Sequence, residues 1–509
     1  MAVKDKLKVA RRAMAVLHDD LDRLEKIDRY EQGDQDLPFM PDLADAEYKL
    51  HAHRAITNVI PFITGTSAQM LFVDSFKRGH TSEEKPKNAA ESIVLPEWDH
   101  WQKSGLDARQ SAVYRGALKF GHSFVLTEKD AKRGVVSRGL SALRTVALYE
   151  DPANDDEPYV AFTVTRWPSD GDGESDKGKA VMWDDTFRYE VRFKSLGDSE
   201  SVTVLEGKRH GASRTPVTRF AAAVDLEGRT CGVVEPMFML QDRINQTVFD
   251  LLIVQTFASF KVRTVTGMAP PMKMKAIDAN GNTIDDPASR LEDVDDWVPD
   301  LDANGKPIPD GVNLSAKRIM FAEDPDSRFG TLDETPLDGF ISAIELGFRH
   351  MAALSQTPPH HILGEISNLS AEALSAAETS LLRKVGEFKS SFGESWERVF
   401  RVAAEIGEHE GADDFAGEVV WRDVSNISMS QTSDALLKLR DLGVPARGLW
   451  PRIPGTNANE LAWWDEEKKS ESPAVALAQT TSAASNRTRP SFRAGAQPSE
   501  AVGAATDAA

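Results

Sequence analysis

Cysteine is nearly absent: Cys231 is the single one in 509 residues. That excludes an internal disulfide framework and any multi-cysteine metal site, and it points to synthesis in a reducing cytoplasm. Long apolar runs are missing too. The basic N-terminus, Met1 to Arg12, leads into no stretch long enough for a secretory signal core. Phe249 to Phe260 is too short and too interrupted to span a bilayer, so a soluble protein is expected. Positive charge is in deficit, with 60 Lys and Arg against 80 Asp and Glu and a formal net charge of −20. Such a balance suits surfaces that repel polyanions, or assembly through apolar and polar contacts, better than a broad grip on phosphates. What is present in quantity, 41% hydrophobic and 28% charged residues, is enough for a sizeable core and about two to four domains.

Apolar spacing of three and four at Leu7, Ala10, Met14, Leu17, Leu21 and Leu24 predicts a helix over residues 1 to about 30. A second is expected over Ala44 to Asn58, ended by Pro61, and a third over Glu97 to Gly121. Residues 140 to 225 carry short strand-like runs, Thr145 to Tyr149, Tyr159 to Thr165, Phe187 to Phe193, Ser201 to Leu205 and Val217 to Ala222, between Gly- and Asp-rich turns. Met237 to Phe257 reads as a helix. Leu240, Ile244, Val248 and Leu251 form its apolar face, and Gln241, Asp242, Asn245 and Gln246 its polar one. Its second half is apolar nearly all round, as a helix buried on several sides would be.

Residues 259 to 335 are turn-rich and contain two DANG tetrads, Asp278 to Gly281 and Asp302 to Gly305. They read as a small β-rich insertion with type I′ turns. Helical spacing returns at Leu337 to Gln356, a loop follows from Thr357 to Ser370, and Ser370 caps a helix to about Ile406, roughly 50 Å long at 1.5 Å per residue. The last 39 residues, with 12 alanines and few large apolar groups, are expected to be a disordered tail.

The search for catalytic chemistry finds decoys. Gly173 to Lys179 fits GxxxxGK, but Ala180 stands where magnesium needs Ser or Thr, no strand precedes it, and its acidic residues would repel phosphates; a solvated hairpin turn is the expectation. The DANG tetrads lack the bidentate Glu of a calcium loop, since position 12 is Ser289 or Asn313. His360-His361 and His51-x-His53 lack metalloprotease spacing and have no nearby Cys, so loop histidines are expected. The basic N-terminal run is more simply a solvated helix face than a nucleic-acid contact. No catalytic, cofactor-binding or metal residues are assigned, and no enzyme activity is expected.

The ordered series of segments nevertheless resembles a known family. The segments are Ile27-Asp28-Arg29-Tyr30-x-x-Gly33 with Leu37-Pro38-Phe39, Asn58-x-x-Pro61, Leu71-Phe72-Val73-Asp74-x-Phe76, and Trp98-x-x-Trp101-Gln102-x-x-Gly105-Leu106-Asp107. They continue with Gly116-Ala117-Leu118-x-x-Gly121-His122-Ser123-Phe124, Glu235-Pro236, Gln241 to Gln246, Phe249 to Leu252, Ser370 to Leu374 and Phe388-Lys389. Over about residues 20 to 450 the chain resembles the portal proteins of tailed phages, as in siphophages of actinobacteria.

The resemblance implies an α+β portal fold with wing, two-helix stem, clip, long wing helix and helical crown, assembled as a ring, usually of twelve copies. Its parts fall at 1–235 (wing), 236–258 and 336–356 (stem helices), 259–335 (clip), 357–370 (tunnel loop), 371–427 (long wing helix and return), 428–470 (crown) and 471–509 (tail). It implies a DNA channel at the unique capsid vertex, through which genomic DNA is packaged and ejected. Implied partners are double-stranded DNA, the terminase large subunit, head–tail adaptors, the major capsid protein and scaffold, with no membrane. His360, His361, Glu365 and Asn368 would then lie in the tunnel loop, and Leu240, Ile244, Val248, Leu251, Phe340 and Ile344 would pack subunits along the stem. That loop has no Lys or Arg, so a steric and neutral polar contact with DNA is expected rather than a cationic grip. Another virion protein, such as a minor head protein, or a nucleotide-driven packaging enzyme are the alternatives.

Overall fold

The computed structural model describes residues 5–40, 46–78, 96–169, 173, 176–259, 263–266, 272–284, 294, 296–302, 305–308, 328–331, 336–364, 371–422, 429–453, 456, 463–464 and 467–468. The chain forms two compact units, one of Met1–Asp36, Asn58–Gln241 and Phe348–Ala509, the other of Leu37–Thr57 and Asp242–Gly347.

In the first unit the N-terminal helix spans Lys6–Gln32. Asp5 caps its start by accepting a hydrogen bond from the Lys8 amide at 3.0 Å. Its buried stripe is Ala10, Ala13, Met14, Leu17, Leu24, Ile27 and Tyr30, which lies close to the sequence reading. Its N-terminal half packs on Phe162, Met182, Tyr189 and Phe193 of a six-stranded antiparallel sheet. That sheet runs Thr145–Leu148, Val160–Arg166, Gly178–Trp183, Phe187–Phe193 and Thr203–Val204, with Lys208–Arg209 also on Phe187–Phe193.

A second sheet pairs Val217–Ala221, His122–Asp130 and Gly134–Leu140. Against it lies the longest helix, Ala371–Ile406, 36 residues or about 54 Å. Leu381, Val385, Phe388, Phe392, Trp396 and Phe400, spaced by threes and fours, are all buried, as is Val399. Ser391 and Ser395 bind the helix to the sheet by donating to the Ala221 and Arg219 carbonyls at 2.8 and 2.9 Å. Trp396 donates to the Tyr114 hydroxyl at 2.8 Å, and that hydroxyl donates to Gln110 at 3.1 Å. Gln110 in turn accepts from the Val73 amide at 2.8 Å. Trp101, Phe220 and Phe400 close the aromatic cluster at ring-centroid distances of 4.6–5.9 Å. Each such side chain contributes about 2–3 kcal/mol by leaving water.

The single helix expected over Glu97 to Gly121 is two, Pro96–Ser104 and Leu106–Phe120. Gly105, at φ +63°, takes the left-handed turn that separates them. Pro61 does not end a helix but starts one: it is the second residue of Ile60–Gln69, where its missing N–H costs nothing. The helix before it is shorter than expected, Ala46–Arg54. C-terminal to the long helix come Glu418–Trp421, paired with Val73–Lys77, and the helices Met429–Asp441 and Ala446–Leu449.

In the second unit Ala52 of Ala46–Arg54 and Ala55 just after it pack on Phe249, with Tyr48, Val248, Leu252 and Ile253 around them. The insertion contains antiparallel pairs Arg263–Thr266 with Arg328–Thr331 and Met274–Ile277 with Asp296–Pro299, so it is β-rich as expected. Its first DANG turn is of another kind than type I′. In Asp278 to Gly281 only the glycine has positive φ, +83°. The Gly281 amide donates to the Asp278 carbonyl at 2.8 Å, and the Asp278 amide to the Asn282 carbonyl at 3.0 Å. This is a type I turn closed by a glycine bulge. The Asp278 carboxylate accepts from the Asn280 and Asn282 amides at 2.9 and 2.8 Å, which stabilises the type I form. Around the second tetrad the Gly305 amide donates to the Asp302 carbonyl at 3.0 Å and the Asp302 amide to the Lys306 carbonyl at 2.8 Å. Among the described residues no helix is long and apolar enough to cross a membrane.

Candidate functional site

The helix Asp338–Ser355, the segment after it and the start of the long helix place the expected tunnel-loop residues. The first helix ends without glycine. Gln356 takes the left-handed conformation, φ +56°, and its amide donates to the Ala353 carbonyl at 3.2 Å while the Thr357 amide donates to Ala352 at 3.0 Å. These are the paired bonds of a Schellman stop, and Pro358 and Pro359 prevent the helix from continuing. From the long helix, the Lys384 ammonium donates to the Ser355 carbonyl at 2.9 Å, a cation on a helix C-terminus. Burial pushes the Lys384 ammonium below its ordinary pKa.

The segment from Thr357 is not wholly loop: Pro359–Leu363 forms a one-turn helix carrying His360 and His361. The proline pair supplies preset φ and Gly364 the left-handed exit, φ +70°. The two imidazoles stand edge to face, centroids 4.4 Å apart. Glu378 of the long helix joins them, with one donor atom from each of the three residues within 4.8 Å of the others. His361 is held below the ordinary imidazole pKa, first by burial and then by His360. The sequence reading missed this cluster because Glu378 lies on the next helix. Glu365, Asn368 and the cap residue Ser370 lie outside the described residues, as does the tail from 471.

The residues expected to pack between subunits divide. Leu240 and Ile244 are 8% and 1% exposed, so the chain covers them itself and they leave almost no surface for a neighbour. A Cβ on Gly347 would come within 2.8 Å of Ile244 Cγ1, so the helices Phe238–Ser259 and Asp338–Ser355 approach closely there. Val248, Leu251, Phe340 and Ile344 remain partly exposed. The polar face expected beside them is also partly an interior one. Gln241 and Asn245 are fully buried and accept main-chain amides, Val59 at 3.4 Å and Thr57 at 3.1 Å. Gln246 accepts the Phe39 amide at 2.7 Å while donating to Asp250 at 3.0 Å. Amide oxygens on this face satisfy backbone that would otherwise be buried and unpaired.

The GxxxxGK segment connects two strands of the six-stranded sheet, and Lys179 lies on a strand opposite Arg166 and Arg192. A cleft of about 300 Å³ beside the long helix is lined by Glu97, His100, Lys103, Arg133 and His409. Its chemistry is internal: Glu97 Oε1 accepts from Arg78 Nε and Nη2 at 3.1 and 2.9 Å. His100 engages the Val135 carbonyl at 3.1 Å and Ser137 Oγ at 3.0 Å, and burial pushes its pKa down to about 4.

Against known proteins, residues 15–474 match the family described as "Phage portal protein, SPP1 Gp6-like". The portal protein of Mycobacterium phage L5 is 31% identical over 162 residues, 30% of this chain and 33% of that protein. That of Mycobacterium phage D29 is 30% identical over the same length, with the same shares. The matched stretch thus spans about a third of each relative. A solved structure, the neck of a native GTA particle computed with C12 symmetry, aligns over 83% of this chain and 97% of its own at 11% identity. Its TM-score is 0.39.

Proposed function

The chain belongs to the SPP1 Gp6-like phage portal protein family, and from that premise we propose that it is the portal subunit of a tailed phage. Copies of it assemble into a ring, a dodecamer, at one vertex of the capsid and form the passage for double-stranded DNA during packaging and ejection. The observation that carries this reading is the family match from residue 15 to 474.

The order of parts supports the assignment of segments. The helix Phe238–Ser259, the β-rich insertion, the helix Asp338–Ser355, a short connecting segment and the 36-residue helix follow one another, as stem, clip, stem, tunnel loop and wing helix would. In this reading 1–235 is the wing, 428–470 the crown, and Val248, Leu251, Phe340 and Ile344 face neighbouring copies. His360, His361, Glu365 and Asn368 lie toward the DNA. The excess of acid, −20 per chain, supports a passage in which phosphates slide rather than bind. The clip carries half-exposed apolar side chains, Met272, Met274, Trp297 and Leu301, suited to docking the terminase large subunit and then a head–tail adaptor. Major capsid protein and scaffold surround the ring, which is made in the host cytoplasm and ends in the virion. The ATP-driven work falls to the terminase, and this subunit is structural.

Native mass spectrometry with negative-stain microscopy of the purified protein tests the reading. The expected result is a ring of about a dozen copies with a central hole. A monomer or dimer that forms no ring even when made together with capsid and scaffold proteins would overturn it.

A further inference from the structure

We propose that His360, His361 and Glu378 bind one divalent late transition-metal ion, zinc in the first instance, which fastens the one-turn helix Pro359–Leu363 to the long helix. Three observations converge on the site. The donor set is two imidazole nitrogens and one carboxylate oxygen, a combination that suits zinc and its first-row neighbours and is poor for calcium or magnesium.

The donor atoms lie within 4.8 Å of one another. Tetrahedral zinc, with metal–ligand distances of about 2.0–2.2 Å, needs donors roughly 3.4 Å apart. Successive helix residues point about 100° apart, yet these two rings sit together with centroids 4.4 Å apart and planes at 76°. The backbone stop at Gln356 and the two prolines fix the short helix so that both rings reach the Glu378 side.

None of the three side chains has a partner among the described residues. Among the described residues no hydrogen bond or ion pair engages either imidazole or the Glu378 carboxylate, although all three are at least partly buried. A cation accepts all three at once, which an added side chain would not. Three protein ligands also leave one tetrahedral position for water or another oxygen ligand. Thr357 to Ser370 contains neither Lys nor Arg, so the ion would be the positive charge of that segment.

Zinc titration of the untagged, full-length protein after chelator treatment, followed by calorimetry and by metal analysis of the dialysed protein, tests this directly. The expected result is one zinc per chain and a raised melting temperature on addition of zinc. His361→Ala and Glu378→Gln should each weaken binding at least tenfold and abolish that rise, while His53→Ala, on a different helix, changes neither. Circular dichroism of the metal-free variants keeps loss of binding distinct from loss of folding. Absence of stoichiometric zinc from the folded wild-type protein overturns the proposal. So does zinc binding that persists undiminished in both variants. A pair of imidazoles and a carboxylate satisfied by a shared proton would give the first of these results.

Discussion

Lowering the pH from 7.5 to 5.0 should destabilise the first unit through His100, and replacing that residue by Gln should remove this part of the loss. The imidazole is 6% exposed, and burial holds its pKa near 4 against 6.5 for the free side chain. Between those values the unfolded chain takes up a proton that the folded one refuses, so stability is intact above pH 6.5 and falls as pH drops toward 4. The linkage integral over this window gives about 2 kcal/mol at pH 5.0 and about 3 kcal/mol near pH 4. Such a loss is a substantial fraction of the roughly 5–15 kcal/mol that holds a domain together. Urea denaturation followed by fluorescence of the ten tryptophans, at both pH values, measures it. His100→Gln should start less stable at pH 7.5, having lost part of the bonding to Val135 and Ser137. It should then lose about 2 kcal/mol less than wild type on acidification. Equal losses in the two proteins would refute the reasoning, because the ring would then be protonated as readily inside the fold as outside it. His122 shifts in the same direction, to about 4, by burial, but its side chain is partly exposed and its contribution is smaller.

Three further substitutions report on the framework. Gly121→Ala places a Cβ 3.0 Å from the Cys231 and Gly232 backbone at φ +90°, and should cost about 3 kcal/mol or more in a denaturation midpoint. Gln356→Gly relieves a left-handed residue at an exposed helix stop and should raise stability by about 1 kcal/mol, read as a higher melting temperature. Arg398 is 3% exposed, and its three guanidinium nitrogens have no hydrogen-bond partner among the described residues. Burial lowers its pKa, and Arg398→Met should be neutral or stabilising by about 1–3 kcal/mol in the same assay.

The helices were legible where apolar spacing was unbroken. The long helix was read to its observed ends because Leu381, Phe388, Phe392, Trp396 and Phe400 repeat without interruption. The strand Gly134–Leu140 escaped notice because its interior residues are Val136 and Ser137, and a buried serine carries no hydrophobic signal. Gly178–Trp183 was hidden by a glycine-lysine pair that belongs to two patterns at once. That glycine is needed because a Cβ would lie 2.6 Å from the Phe193 ring. In the candidate site, the histidine pair was visible but Glu378 was not, since proximity across a chain reversal leaves no periodic trace. Gln241 and Asn245 were read as part of a polar face, but their burial was not legible, because an amide side chain looks polar whether its partner is solvent or backbone.

Those amides have a mechanical consequence. Gln241 and Asn245 stand one helical turn apart, and the next position in the row is Phe249, which offers no acceptor. A slide of the helix Phe238–Ser259 by one turn, about 5.4 Å, would bring either Asn245 opposite the Val59 amide with Phe249 opposite Thr57, or Gln241 opposite Thr57 with Val59 abandoned. Phe39 would meet Asp250 or Asp242, either of which offers a carboxylate oxygen. An amide left without an acceptor costs about 1–3 kcal/mol, so small displacements gain nothing and a full step in either direction leaves one of the two amides unpaired. The helix therefore behaves as a keyed shaft, fixed in axial register. Movement of this chain is expected to carry the shaft together with the segment keyed to it.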